Sequence, residues 1–319
     1  MNEPPTPLVE AYPASVATAG RIDPAAPTVG KLLRALRTFS LPVSVLPVFV
    51  AVAVALPPEQ WDWTALLLSA AGAAMLHLSG NLLNDYFDFR SGCDRAVHDD
   101  AGRPGRLLVS GLLRPRMVLR EALVCLALAA AAGAYLAWRA GAGVLAFQGA
   151  ALVALYSYTG PPLALKYRAL GEGLIFIVFG PLLMLGAAWA QTRRIEPQVL
   201  WVSIAAGLAT TAILAGNNYR DREEDARAGF RTLGMLAGGR VSRALYTGLV
   251  IAATLLPAAR ALLGTAPRGL LAAPLTLILL RRPLAAMWRG RRLADIDAQT
   301  ARFVAVLLVL FWVGYVLRH

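Results

Sequence analysis

The chain has 319 residues, 57% of them hydrophobic and only 16% charged. Soluble domains carry about 25% charged residues, so composition excludes an ordinary soluble domain and predicts an all-α, polytopic membrane bundle. The net charge is +12, almost all from arginine, because Lys31 and Lys166 are the only lysines; these charges lie between apolar runs with no aromatic-interleaved patch, which argues against nucleic acid as a partner.

Residues 1–30 are rich in Pro, Ala and Thr and lack the apolar core of a signal peptide. They are expected to form a disordered cytoplasmic tail, leaving 31–319 as a single intramembrane domain. Nine apolar segments follow, at roughly 36–56, 62–84, 117–137, 141–158, 171–190, 198–218, 242–263, 267–281 and 302–318. A span needs about 17–25 residues. The eighth segment is short and lies in a stretch carrying Pro257, Pro267, Pro274 and Pro283, so the span count is weakest there. With the N-terminus inside, 25 of the 31 Lys and Arg residues fall on the inner side of nine spans. The positive-inside rule therefore predicts a cytoplasmic N-terminus in a plasma (inner) membrane.

The second segment ends in Asn81-Leu82-Leu83-Asn84-Asp85-Tyr86-Phe87-Asp88. On a helix, His77, Asn81, Asn84/Asp85 and Asp88 fall on one face, turn above turn. The sixth segment ends in a matching stripe, in which Asn217, Asp221 and Asp225 recur every four residues beside Asn218, Arg220 and Arg222. Carboxylates are costly at the ends of membrane helices unless paired or bound to a cation, which makes both stripes candidate functional sites. Topology places both on the cytoplasmic face. Their recurrence on the second and sixth spans implies two four-helix pseudo-repeats plus one helix, with a shared central site.

Asp and Asn oxygens without Cys or His partners suit a hard cation such as Mg²⁺, held by one or two carboxylates plus substrate phosphates. Asp85, Asp88, Asp221 and Asp225 are the candidate metal ligands. Asn81, Asn84, Asn217, Asn218, Arg90 and Arg220 are candidates for contact with an anionic substrate. A third segment runs from Tyr156 through the turn signal Thr159-Gly160-Pro161-Pro162 to Lys166. An ammonium in a chain that otherwise uses arginine marks Lys166 as a phosphate binder, with Tyr158 beside it. His77 is read as a hydrogen-bonded packing residue. Tyr86, Phe87, Phe89 and Tyr219 are read singly as interface packing, with lining of an allyl pocket as the alternative. Cys125 is read as packing, and so is Cys93 in the loop after the first stripe.

Four stretches together carry a resemblance: NLLNDYFDFRSGCD from Asn81, RPGRLLVSGLL from Arg103, YTGPPLALKYRALGE from Tyr158 and NNYRDREEDARAGFRTL from Asn217. They resemble the UbiA superfamily of intramembrane aromatic prenyltransferases, and within it the branch acting on 1,4-dihydroxy-2-naphthoate. The resemblance implies nine helices around a central cavity open to lipid, and a polyprenyl diphosphate bound through Mg²⁺ by the two Asp-rich motifs. It further implies catalytic roles for Asp88, Asp221 and Lys166 in transfer of the prenyl group to an aromatic quinone precursor in menaquinone synthesis. One departure is visible. The next acidic residue after Asp88 is Asp94, six positions on and off phase for one helix face, so it joins the site only if the helix breaks near Ser91-Gly92. Alternative acceptors are 4-hydroxybenzoate, homogentisate, haem or a chlorophyll precursor. A reading of another class is a repeat-symmetric secondary transporter.

Overall fold

In the computed structural model the described residues are 28–92, 107–227, 231–236 and 238–318. Most of the expected tail, together with Cys93 and Asp94, lies outside them. Helix α1, Thr28–Ala35, begins three residues before the expected domain boundary. A helix then covers each apolar segment: α2 Pro42–Ala55, α3 Trp63–Ser91, α4 Pro115–Ala140, α5 Gly143–Thr159, α6 Gly171–Thr192, α7 Pro197–Arg227, α8 Gly238–Leu262, α9 Arg268–Trp288 and α10 Ile296–Val316. Seven of these are long and apolar enough to cross a bilayer, while α2 and α5 are shorter apolar helices of 14 and 17 residues. The chain is an integral membrane protein.

Local chemistry explains the irregular elements. Asp62 caps α3 by accepting from the Ala65 amide at 3.1 Å, satisfying one of the orphan donors of the first turn. At the other end Gly92 takes φ +80°, a conformation open to glycine, and stops the helix. The polar stripe therefore ends on schedule at Asp88, and the chain leaves the helix before position 94. Pro181 sits in a π-helical turn of α6, Val178–Leu182, where the missing proline N–H is absorbed by a wider turn. The short eighth segment is explained by α9. It runs in tight 3₁₀ geometry from Arg268 to Leu280 around Pro274, and at about 2.0 Å per residue so few residues still cover most of a hydrocarbon core of about 30 Å.

Helix α7 is central. It packs on α8 and α10 and, through α6, on the cavity wall. Where α6 meets α7 the backbones nearly touch: a Cβ built on Gly180 would lie 2.6 Å from the Ser203 carbonyl, and one on Gly207 2.8 Å from that of Phe176. Small residues permit this approach, which is how membrane helices gain packing where lipid removes the hydrophobic drive. Tyr219, Tyr246, Phe303, Phe311 and Tyr315 fill the core behind α7.

The loops sort to two ends. At one, Asp62 pairs with Arg139 at 2.9 Å, and Arg193 donates to the Arg139 carbonyl. At the other lie both stripes, Lys166, and an isolated parallel bridge between Arg168 and Arg231.

Candidate active site

One cavity of about 620 Å³ opens among α2–α7 and α10, and both stripes line it. His77, Asn81, Asn84, Asp85 and Asp88 reach it from α3, and Asn217, Asn218, Arg220, Asp221 and Asp225 from α7; Tyr158, Lys166 and Tyr167 come from α5 and the turn after it. The deep end is apolar, with Phe147, Val178, Phe179 and Leu182 among its walls.

The first stripe divides its work. Three residues at successive turns hold the connection between α1 and α2. His77 Nε2 meets Ser40 Oγ at 3.0 Å, Asn81 Nδ2 donates to the Leu36 carbonyl at 3.1 Å, and Arg37 donates to Asp85 at 2.5 Å. Arg37 itself has left-handed backbone, φ 52°. The other two face the turn after α5. Lys166 Nζ donates to Asn84 Oδ1 at 3.1 Å and to Asp88 Oδ2 at 2.7 Å, while the Tyr167 hydroxyl donates to Asp88 Oδ1. Lys166 is presented by a 3₁₀ turn, Leu165–Tyr167, flanked by Ala164 and Ala169 at φ 42° and 57°. Left-handed alanines are strained, and such strain persists where surrounding structure over-determines the geometry. Burial alone would lower the pKa of Lys166, but the adjacent Asp88 carboxylate outweighs it and holds the ammonium above its usual range.

On the second stripe, Arg220 grips both oxygens of Asp221 at 2.7 Å, reaches the Ala294 carbonyl at 3.0 Å and lies 3.3 Å from Asp297 of α10. Asn218 Nδ2 donates to Glu172 at 2.7 Å. Thr232 Oγ1 lies 3.5 Å from Asp225. Glu223, on the flank of α7, is held by Arg292 at 2.7 Å.

Of the residues expected from sequence, only Arg90 misses the cavity. It is exposed, and its guanidinium lies over the Tyr86 ring, 5.9 Å from the centroid. Two residues past Asp88 is about 200° around the helix, which turns it away from the stripe. Tyr86, Phe87 and Phe89 pack outside the cavity and Tyr219 is wholly buried in the core, so none of the four lines the cavity, and Tyr219 is a core residue rather than an interface one. Sequence reasoning passed over Arg37, Tyr167, Glu172 and Asp297. Tyr167 had a signal in its place beside Lys166, and Glu172 in closing the stretch that starts at Tyr158; Arg37 and Asp297 are brought in only by tertiary contact.

No group of three or more His, Cys, Asp or Glu side chains able to hold a metal occurs among the described residues. The donor set nevertheless fits Mg²⁺, which takes few carboxylates and completes its shell with phosphate oxygens and water. The carboxylates of both stripes face a single cavity that is also lined by Lys166, Arg37 and Arg220.

Known proteins share this architecture. The profile of the UbiA prenyltransferase family matches residues 44–314. The 1,4-dihydroxy-2-naphthoate octaprenyltransferase of Mycobacterium tuberculosis is 35% identical over 220 residues, covering 69% of this chain and 74% of that protein. UbiA prenyltransferase domain-containing protein 1 of Gallus gallus is 34% identical over 288 residues, covering 88% of this chain and 82% of that one. Among solved structures, a UbiA homologue from Archaeoglobus fulgidus bound to GPP and Mg²⁺ superposes with a TM-score of 0.66 at 19% identity, covering 90% of this chain and 99% of that one. With a profile match over most of its length and relatives above 30% identity, this chain belongs to the UbiA prenyltransferase family and is an integral-membrane prenyltransferase.

Proposed function

We propose that the enzyme transfers a polyprenyl group from polyprenyl diphosphate to 1,4-dihydroxy-2-naphthoate, in a Mg²⁺-dependent step of menaquinone synthesis on the cytoplasmic face of the plasma (inner) membrane. Nine spans, arranged as two four-helix repeats plus one, carry the site, with residues 1–30 as a tail and 31–319 as the catalytic domain. The observation that carries this reading is the meeting of two carboxylate stripes and one lysine at the polar end of a cavity whose other end is apolar. A diphosphate with a long hydrocarbon tail has that same polarity. The names of the Mycobacterium tuberculosis and Archaeoglobus fulgidus relatives support the acceptor class, the donor class and the metal.

Asp85, Asp88, Asp221 and Asp225 would hold Mg²⁺ together with the diphosphate, and the bound ion would neutralise charge on the leaving group. Lys166 is protonated and donates to a phosphate oxygen, as the allylic C–O bond breaks and its electron pair departs with the diphosphate. Tyr167 and Lys166 fix Asp88. The Asn84 amide, with its oxygen occupied by Lys166, leaves its N–H groups to donate to phosphate. Arg37 and Arg220 balance the negative charge that accumulates. The cation-like allylic carbon takes an electron pair from the acceptor ring, forming the new C–C bond, and the ring carboxylate leaves as CO₂.

The test is transfer from a labelled polyprenyl diphosphate by purified enzyme in detergent, with Mg²⁺ and each acceptor in turn. Prenylation of the dihydroxynaphthoate is expected. Prenylation of 4-hydroxybenzoate or homogentisate in its place would overturn the acceptor assignment.

A further inference from the structure

Glu172 is a buried carboxylate in the first turn of α6, 7% exposed, which the mechanism above leaves unused. Such a group inside a membrane protein calls for a function. It does not line the cavity, but its hydrogen-bond partner Asn218 does. A carboxylate only accepts hydrogen bonds, so the 2.7 Å contact fixes which end of the Asn218 amide faces it: Nδ2 is held by Glu172, and Oδ1 is left to the cavity. Asn218 is held from another side as well. The helical turn Leu233–Leu236 lies so close that a Cβ on Gly234 would sit 2.9 Å from the Asn218 carbonyl oxygen. One turn deeper along the cavity wall come Leu214 of α7 and Leu174 and Ile175 of α6. An apolar bed capped by a fixed acceptor oxygen, with a carboxylate behind it to polarise the amide, is unsuited to a phosphate oxygen and suited to a hydroxyl on a flat ring.

We propose that Glu172 is a positioning residue that locks the Asn218 amide so that Oδ1 accepts a hydrogen bond from a ring hydroxyl of the aromatic acceptor. The inference rests on the acceptor being a hydroxylated aromatic, as in the function proposed above.

The experiment is steady-state kinetics on purified full-length enzyme, varying dihydroxynaphthoate, prenyl diphosphate and Mg²⁺ separately, with a thermal midpoint recorded for every variant. Asn218→Asp sets two carboxylates against each other and is expected to raise the acceptor KM about tenfold, the worth of one good hydrogen bond. The donor KM and the Mg²⁺ half-saturation stay within about twofold. The exchange Asn218→Asp/Glu172→Gln reverses the polarity of the pair and returns the acceptor KM to within about threefold of wild type. Glu172→Gln alone keeps an acceptor oxygen and raises the acceptor KM by a smaller factor, which supplies a reading if Asn218→Asp does not fold. An unchanged acceptor KM in the folded single variants, a failure of the exchange to restore it, or an equal shift in Mg²⁺ or donor dependence would each overturn the proposal. Wild-type enzyme is measured first. If it prenylates no hydroxylated aromatic, the functional reading itself has failed, and the role of Asn218 fails with it.

Discussion

Asp88 and Asp221 each have both carboxylate oxygens engaged by basic or phenolic donors. Converting either to Asn keeps size and loses charge. Mg²⁺-dependent transfer is expected to fall at least about 10²-fold while the protein stays abundant in membranes, as read by activity per immunoblotted enzyme. Full activity in both variants would remove these residues from the site. Lys166 gives a pH prediction with a definite sign. Its folded pKa is raised, so the stabilisation it provides is complete below the unfolded value of about 10.4 and lost only as pH climbs through the folded value. The rate–pH profile between about 6 and 10 should therefore carry no limb from Lys166, and Lys166→Met should lose activity by the same factor across that range. A loss confined to the acid side would show that the lysine titrates inside it. The Asn and Asp stripes were legible at this scale because a four-residue spacing is a property of the helix itself. The split within the first stripe was not legible: whether Asp85 faces Arg37 or Asp88 faces Lys166 depends on partners 48 and 78 residues away.

Among the elements, the α6–α7 contact is where sequence change should be felt most. Gly180→Ala would drive a Cβ to within 2.6 Å of the Ser203 carbonyl oxygen and is expected to cost about 1–3 kcal/mol, as overpacking does. Gly149→Ala on α5, with nothing within 4 Å, should be neutral or stabilising. Thermal unfolding of the two variants in one detergent makes the comparison, and equal midpoints would contradict the close approach. Helix positions were readable from apolar length alone. The π turn at Pro181 and the 3₁₀ course of α9 were not, because proline in a membrane helix is compatible with several backbone geometries and the neighbouring helices select one.

For the molecule as a whole, the grouping of loops predicts which positions share a side. In an enzyme with Cys93 and Cys125 replaced, single cysteines at Arg90 and Arg289 should react with an impermeant thiol reagent from one side of the membrane only. Cysteines at Glu59 and Arg193 should react only from the other. Labelling of all four from one side would break the alternation. By itself the sequence determined that this is a membrane bundle, where its helices run, and which polar residues share a helix face, because these follow from hydropathy and from a periodicity local to each segment. It also determined the catalytic class, through four motifs read together. Only the tertiary structure decided that the two stripes share one cavity and that Arg37, Glu172 and Asp297 join them. Those facts depend on how helices far apart in the chain pack against each other, and helical periodicity carries no information about what stands opposite.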